Sequence, residues 1–274
     1  MKWKLGTLAG IGVYLHWSFW LLPGWVLLSA GGGLAGTIGS ILFIFAIFGC
    51  VVLHELGHAL MARHYGIGTR DITLYPIGGV ASLLRMPRRP SQELAIALAG
   101  PAVNVVIAGI LFAVLMVAGI SLQSSMFSLV GGSFLLNLLV VNVFLVAFNM
   151  LPAFPMDGGR VLRAFLAMRK PYVRATEIAA RVGQGVAMVL GLIGLWTGGT
   201  LLFVALFVFL AAQAELATVR RQESFGASSV VDAVNWHHTT GDSMLEPDHG
   251  IIWLAVDEPN QIDSVGPTSA YPKS

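Results

Sequence analysis

Apolar positions in this chain come in long, nearly unbroken runs, and polar residues gather between them. A helix needs about 20 apolar residues to cross the hydrocarbon core of a bilayer. Six runs reach or approach that length, at about 11–30, 37–64, 93–120, 128–151, 180–197 and 200–218, the last two joined by the short "WTGGT". The pattern predicts an all-α polytopic membrane protein with about six transmembrane helices. Two stretches depart from it. "TRDITLYPIGGVASLL" (69–84) is β-branched and Gly-rich, with Pro76 and the pair Gly78 and Gly79. It predicts short strands with a turn, a membrane-associated β segment after the second span that is held against protein. "GGRVLRAFLAMRKPYVRATEIAARVG" (158–183) mixes apolar and basic residues and predicts an interfacial helix broken near Pro171.

Composition sharpens the class. The 274 residues are 56% hydrophobic and 11% charged, with a mean hydropathy of +0.78, whereas soluble domains carry about 25% charged residues. A soluble fold with a large core is excluded. The single cysteine, Cys50, lies inside an apolar run, can form no internal disulfide, and reads as packing. A net charge of +2 gives no reason to expect a nucleic-acid partner. That small value hides an asymmetry: residues 1–221 hold 15 Lys/Arg against 6 Asp/Glu, and residues 222–274 hold Lys273 against 8 acidic residues. The expected division is a membrane body over 1–221 and an acidic tail over 222–274.

Basic residues also predict orientation. They precede the first predicted span (Lys2, Lys4) and recur after the second (Arg63 to Arg89), after the fourth (Arg160 to Arg181) and after the sixth (Arg220, Arg221). The opposite loops, near 31–36, 121–127 and 198–199, have none. Six spans therefore put both termini and every basic loop in the cytoplasm of a multi-pass cell-membrane protein. Met1-Lys2-Trp3-Lys4 before an apolar run has the outline of a signal peptide, but His16, Trp17 and Pro23 interrupt it, so the segment is expected to stay as a span.

The second run ends in "VVLHELGHALMARHYG", and His54-Glu55-Leu56-Gly57-His58 is an HExxH pattern. On a helix His54 and His58 share one face and can grip one ion, while Glu55 lies one position along and can handle a proton. Zinc supplies a Lewis acid and makes water nucleophilic at a pH of about 7. Catalytic zinc usually takes a third protein ligand. Asp157 is a candidate because Pro152 and Pro155 end the helix before it and free it to turn inward. Glu93, Asp71, Glu177 and Glu215 flank spans and read as solvated or interfacial charges.

HExxH in the second span, "NMLPAFPMDGG" at the end of the fourth and "AGPAVN" (99–104) in the third together resemble the site-2 protease family of intramembrane metalloproteases over about residues 1–220. "GVYLHWSF" and "LYPIGGVA" look like the branch whose members often carry cystathionine-β-synthase-type (CBS) nucleotide-sensing domains, but a tail of 53 residues is too short for a CBS pair, and "SSVVDAV" (228–234) would be a remnant. Met156 stands where many members have Leu. The resemblance implies that Zn2+ is held by His54, His58 and Asp157, that Glu55 is the catalytic base, and that the substrate is a transmembrane protein cut within or beside its membrane segment. A homo-oligomer is left open.

Asn104 has two readings. An asparagine in a membrane helix can hydrogen-bond a neighbouring helix; the family pattern implies that it faces the site, its amide holding substrate backbone or an oxyanion. Asn142 and Asn149 share one face of the fourth span, and Asn149 reads as structural. Gly78 and Gly79 allow a turn or close backbone approach, and residues 69–84 could offer a strand edge to an unwound substrate. His16 reads equally as a cavity residue and as interfacial packing, and His64 as interfacial. His237, His238 and His249 lie in the acidic tail. The competing function is a metal transporter or a non-catalytic zinc-binding membrane protein; the nearly all-apolar non-cytoplasmic halves of the spans argue against a transport path.

Overall fold

The computed structural model describes residues 1–29, 33–85, 87, 89–119, 134–197 and 199–240. Expectations for the loop at 121–127, for the start of the fourth span at 128–133 and for His249 lie outside these residues. The chain divides into two compact units, Met1–Glu223 and Ser224–Ser274, and the first carries everything below.

Among the described residues, four helices are long and apolar enough to cross a membrane: Gly36–His64 within α2 (Gly33–His64), α3 (Pro90–Val117), α6 (Tyr172–Thr197), and Leu201–Arg221 within α7 (Thr200–Thr240). Their outer faces stay apolar, with Leu192, Trp196 and Phe203 largely exposed, as a lipid-facing surface requires. Two further apolar helical segments are shorter, Trp17–Ser29 and α4 (Phe134–Asn149). Of the six expected spans, four are thus met by long apolar helices among the described residues, and the other two, at 11–30 and 128–151, by the shorter apolar segments.

The largest correction concerns residues 11–30. They are a strand, β2 (Ile11–His16), then a 3-10 turn (Trp17–Trp20) and α1 (Leu21–Ser29). β2 belongs to a four-stranded sheet with β1 (Lys2–Leu8), β3 (Thr69–Tyr75) and β4 (Gly78–Leu83), in the order β1-β2-β3-β4. β1–β2 and β3–β4 are antiparallel hairpins; β2 and β3 are parallel, Gly12 opposite Asp71 and Leu15 opposite Leu74. The expected β segment after the second helix is therefore only half of the sheet. The first hairpin turns at Ala9 (φ 49°) and Gly10 (φ 82°), and the Arg63 guanidinium donates to Ala9 O at 2.8 Å.

The sheet lies along the C-terminal half of α2. Ile11 and Ile72 pack on Ala59, and Val13, Leu15 and Leu74 pack with Phe19, Phe48 and Val52. Leu22 meets the same cluster beside Ile44, so β2 and then α1 descend α2 in sequence. Six strand residues cover about 20 Å and the following helical segment about 20 Å more, close to the roughly 43 Å of Gly36–His64. Strand backbone is tolerated at membrane depth only where protein satisfies it, and both edges of β2 are paired. Across the sheet Lys2 pairs with the buried Asp71. That hydrogen bond outweighs burial and holds the Asp71 carboxyl below its ordinary range. Asp71 is therefore a paired, buried carboxylate and not a solvated one.

The basic segment after α4 breaks where expected: α5 (Asp157–Ala167) ends before Pro171, and α6 starts at Tyr172. Residues 172–183 belong to α6, not to a separate interfacial helix. Arg163 on α5 is 1% exposed. Its Nε donates to Glu93 Oε1 of α3 at 2.7 Å, and its Nη1 donates to Glu215 Oε1 of α7. The Phe154 and Tyr172 rings each lie 5.1 Å from its guanidinium. Burial works against this charge, but Glu93 and then Tyr172 and Glu215 outweigh it and raise the Arg163 pKa further. Glu93 and Glu215, expected to be solvated or interfacial charges, pair inside the protein and tie three helices together; Glu177 keeps an exposed partner in Arg220.

Candidate metal centre

Three elements converge on one point. α2 brings His54 and His58 one turn apart, both 6% exposed. α5 begins with Asp157, 7% exposed. The loop before it folds tightly onto the helix start: a Cβ on Gly158 would collide with the Met150 and Leu151 carbonyl oxygens, and one on Gly159 would come within 2.7 Å of the Ala153 backbone. These two glycines let the chain turn inside the bundle and aim Asp157 at the histidines. Asp157 Oδ2 lies 3.1 Å from His54 Nε2 and 3.2 Å from His58 Nε2, and the two Nε2 atoms are 3.1 Å apart.

The opposite ring nitrogens fix what these atoms are. His58 Nδ1 lies 2.7 Å from the Ile96 carbonyl, which can only accept, so Nδ1 carries the proton. The carbonyl belongs to α3. His54 Nδ1 lies 2.7 Å from Asn104 Oδ1. With both Nδ1 atoms donating, both Nε2 atoms of the neutral rings present lone pairs toward a carboxylate oxygen. Three acceptors in mutual contact need two protons or a cation between them.

Two nitrogens and one carboxylate oxygen are a zinc donor set, and four-coordinate zinc with bonds of about 2.0–2.1 Å places its ligands about 3.3 Å apart. The spacing here agrees. Gly100 makes room for it: a Cβ there would overlap His58 Nε2 and stand 2.7 Å from His54 Nε2. The residues fit a zinc ion. Gly100→Ala is expected to lower zinc affinity at least about 10-fold, in the range of perturbed ligand surroundings, measured by competition with a chromogenic chelator. Unchanged affinity would show that the space over the two nitrogens is not part of the site.

Glu55 is not one of the three converging residues. Its Oε2 accepts from the Ala81 N–H of β4 at 3.0 Å, which places the sheet beside the centre. Gly79 and Gly78 have different tasks. A Cβ on Gly79 would stand 2.8 Å from Glu55 Cγ and 3.0 Å from Val51 Cγ1, so glycine lets β4 approach α2. Gly78 has φ 143°, a conformation for which glycine is suited, and nothing lies near its face; it makes the β3–β4 turn.

Asn104 is 0% exposed and faces the metal cluster only through His54. Its amide nitrogen donates to Asn142 Oδ1 at 2.9 Å, so it is committed between two side chains and does not face open space. Asn149 is half-buried at the end of α4. His16 ends β2, where its Nδ1 lies 2.7 Å from Ser18 Oγ and its ring packs against Tyr75. His64 packs against Tyr65. The sequence pattern singles out neither Gly100 nor the Ile96 carbonyl nor the Ala81 N–H, and it gives Asn142 a face shared with Asn149 but no tie to the metal. A glycine next to proline inside a membrane helix was a signal for the first; backbone groups leave none.

A helical membrane fold with two histidines and one aspartate buried among its helices and a half-buried glutamate adjacent to them defines a membrane-embedded metal-centred enzyme. Residues 42–190 match peptidase family M50, and the chain belongs to that family. A zinc metalloprotease of Methanocaldococcus jannaschii is 36% identical over 248 residues, covering 89% of this chain and 69% of that protein. Rip3 of Mycobacterium tuberculosis is 32% identical over 289 residues, covering 98% of this chain and 70% of its own length. Among solved structures, a site-2 protease from Methanocaldococcus jannaschii superposes with a TM-score of 0.57 at 37% identity, covering 79% of this chain and 95% of that one. The fold is that of a site-2 protease.

Proposed function

We propose that this protein is an intramembrane zinc metalloprotease that hydrolyses peptide bonds in or beside transmembrane segments of membrane-protein substrates, and that residues 1–221 form its protease domain. His54, His58 and Asp157 are the zinc ligands. What supports the reading above all is the meeting of three buried acceptor atoms beside a glutamate that ligates nothing. Zinc, when bound there, polarises the scissile carbonyl and makes water nucleophilic near neutral pH. Glu55 accepts the proton from the attacking water and returns it to the leaving amine.

β4 is the edge strand of the sheet. Ala81 directs its N–H away from β3 toward Glu55, and by the two-residue period of a strand Gly79 presents its backbone on the same side. A locally unwound substrate pairs with this edge, its main-chain carbonyl takes the Ala81 N–H, and Glu55 is released to act. An extended segment exposes the peptide bond that a helix shields. Both termini and the opening of the site face the cytoplasm, a reading that the positively charged loops support, and water reaches His54, Glu55, His58 and Asp157 from that side. Residues 222–274 are an acidic cytoplasmic tail.

The test compares membrane proteomes of cells producing the wild-type chain or Asp157→Ala. Fragments of membrane proteins ending near a transmembrane segment are expected only with the wild type. They should vanish when a zinc chelator is added to isolated membranes and return with added zinc. Identical fragment sets in the two strains would sink the protease reading, and zinc flux into vesicles carrying the protein would replace it with transport.

A further inference from the structure

Asn104 of α3 and Asn142 of α4 are both 0% exposed among membrane helices. An unpaired amide at such a place is costly, and these two are paired in a chain that has a direction. Asn142 Nδ2 donates to the Leu138 carbonyl at 2.8 Å, one turn back in α4, with Cys50 Sγ at 3.4 Å from the same nitrogen. A main-chain carbonyl only accepts, so Asn142 must turn its NH2 that way and its Oδ1 toward Asn104. That oxygen takes the Asn104 amide proton at 2.9 Å. Asn104 must then turn its own Oδ1 toward His54 Nδ1, 2.7 Å away. Oxygen and nitrogen of both amides are assigned by this network, and the network is anchored in a backbone group that cannot rotate.

We propose that Asn142 is a positioning residue for the metal: through Asn104 it fixes the tautomer of His54, and with it the lone pair on Nε2. The inference rests on His54 being a zinc ligand. His58 receives the same instruction in one step from Ile96 O; His54 receives it in two steps from Leu138 O. Without Asn142 the Asn104 amide is free to rotate by half a turn. Its NH2 then faces Nδ1, which must accept, and the proton moves to Nε2, where it blocks ligation. Partners behind a ligating histidine typically change metal affinity by about 10–100-fold.

Zinc affinity of the full chain in detergent, measured by chelator competition, tests this. Asn142→Leu should weaken zinc binding about 10-fold or more. In Asn104→Asp both side-chain oxygens accept from His54 Nδ1, so there is no wrong orientation to adopt, and adding Asn142→Leu should cost less than about threefold, because the chain's direction no longer matters. Simple loosening of the helix packing would weaken both backgrounds equally. Asn142→Asp, buried as the neutral acid, keeps an acceptor toward Asn104 and a donor toward Leu138 O, and should stay within about threefold of wild type; it decides the matter if Asn142→Leu does not fold. Wild-type affinity in Asn142→Leu, equal losses in both backgrounds, or a loss of about 10-fold in Asn142→Asp would overturn the relay. His54→Ala is the separate control: if it keeps full zinc affinity, the ligand assignment itself fails.

Discussion

Glu55→Gln should bind zinc like the wild type and cleave substrate about 100-fold to 10,000-fold more slowly, the usual contribution of a positioned general base. Glutamine has the same shape, and its Oε1 can still accept from the Ala81 N–H that the carboxylate meets at 3.0 Å. The side chain is hydrogen-bonded to β4 and is not one of the three converging ligands, so the substitution removes basicity and leaves the metal site intact. The two readouts are zinc per chain, measured by elemental analysis, and the rate of fragment release from a single-span substrate identified in the proteomic comparison. Cleavage within about tenfold of wild type would take the role of base away from Glu55. Loss of zinc would mean that Glu55 is a ligand after all.

Arg163→Leu should destabilise the protein by about 3–5 kcal/mol, the cost of removing one partner from a buried ion pair. Arg163 is 1% exposed and Glu93 4%, and Glu93 Oε2 already lacks a hydrogen-bond partner. Taking away the guanidinium leaves a buried carboxylate with nothing to balance it. Adding Glu93→Leu should restore part of the loss, because the abandoned charge goes too. The measurement is reversible unfolding in mixed micelles, followed by tryptophan fluorescence. Zinc affinity should fall alongside stability, since α5 starts at Asp157 and is pinned to α3 and α7 through Arg163. A loss below about 1 kcal/mol would show that solvent reaches the cluster and screens it.

Much of the metal centre was legible in the chain because its chemistry is local. His54 and His58 are spaced for one helix face, and the prolines before Asp157 announce a turn. What escaped was carried by backbone or by shape. The Ile96 and Leu138 carbonyls and the Ala81 N–H have no side-chain signature, and Gly100 matters only because α2 passes over it. Glu93 and Glu215 read as solvated or interfacial because each flanks an apolar run; their partner, Arg163, lies far away in sequence.

The N-terminal strand was missed for a different reason. In β2 the buried positions Ile11, Val13 and Leu15 do alternate with half-buried ones, but Gly12 and Tyr14 add no charge, so the two-residue period dissolves into an apolar run. The turn gave little help, since Ala9 adopts a positive φ where asparagine or glycine is usual. The apolar run was real, but a strand and a short helix share its length.

The parallel pairing of β2 with β3 sets an order on the protein's biogenesis. β2 leaves the ribosome early and finds β1 at once as a hairpin partner, but its other edge stays bare until residues 69–75 have been made, after the whole of α2. A bare strand edge is poorly tolerated in lipid. The first apolar segment therefore gains its final backbone pairing only when α2 is complete and β3 has arrived beside it. The sheet edge that flanks Glu55 comes into being in the same event, so a chain stalled before Thr69 has the HExxH helix but no β4 to lay against it.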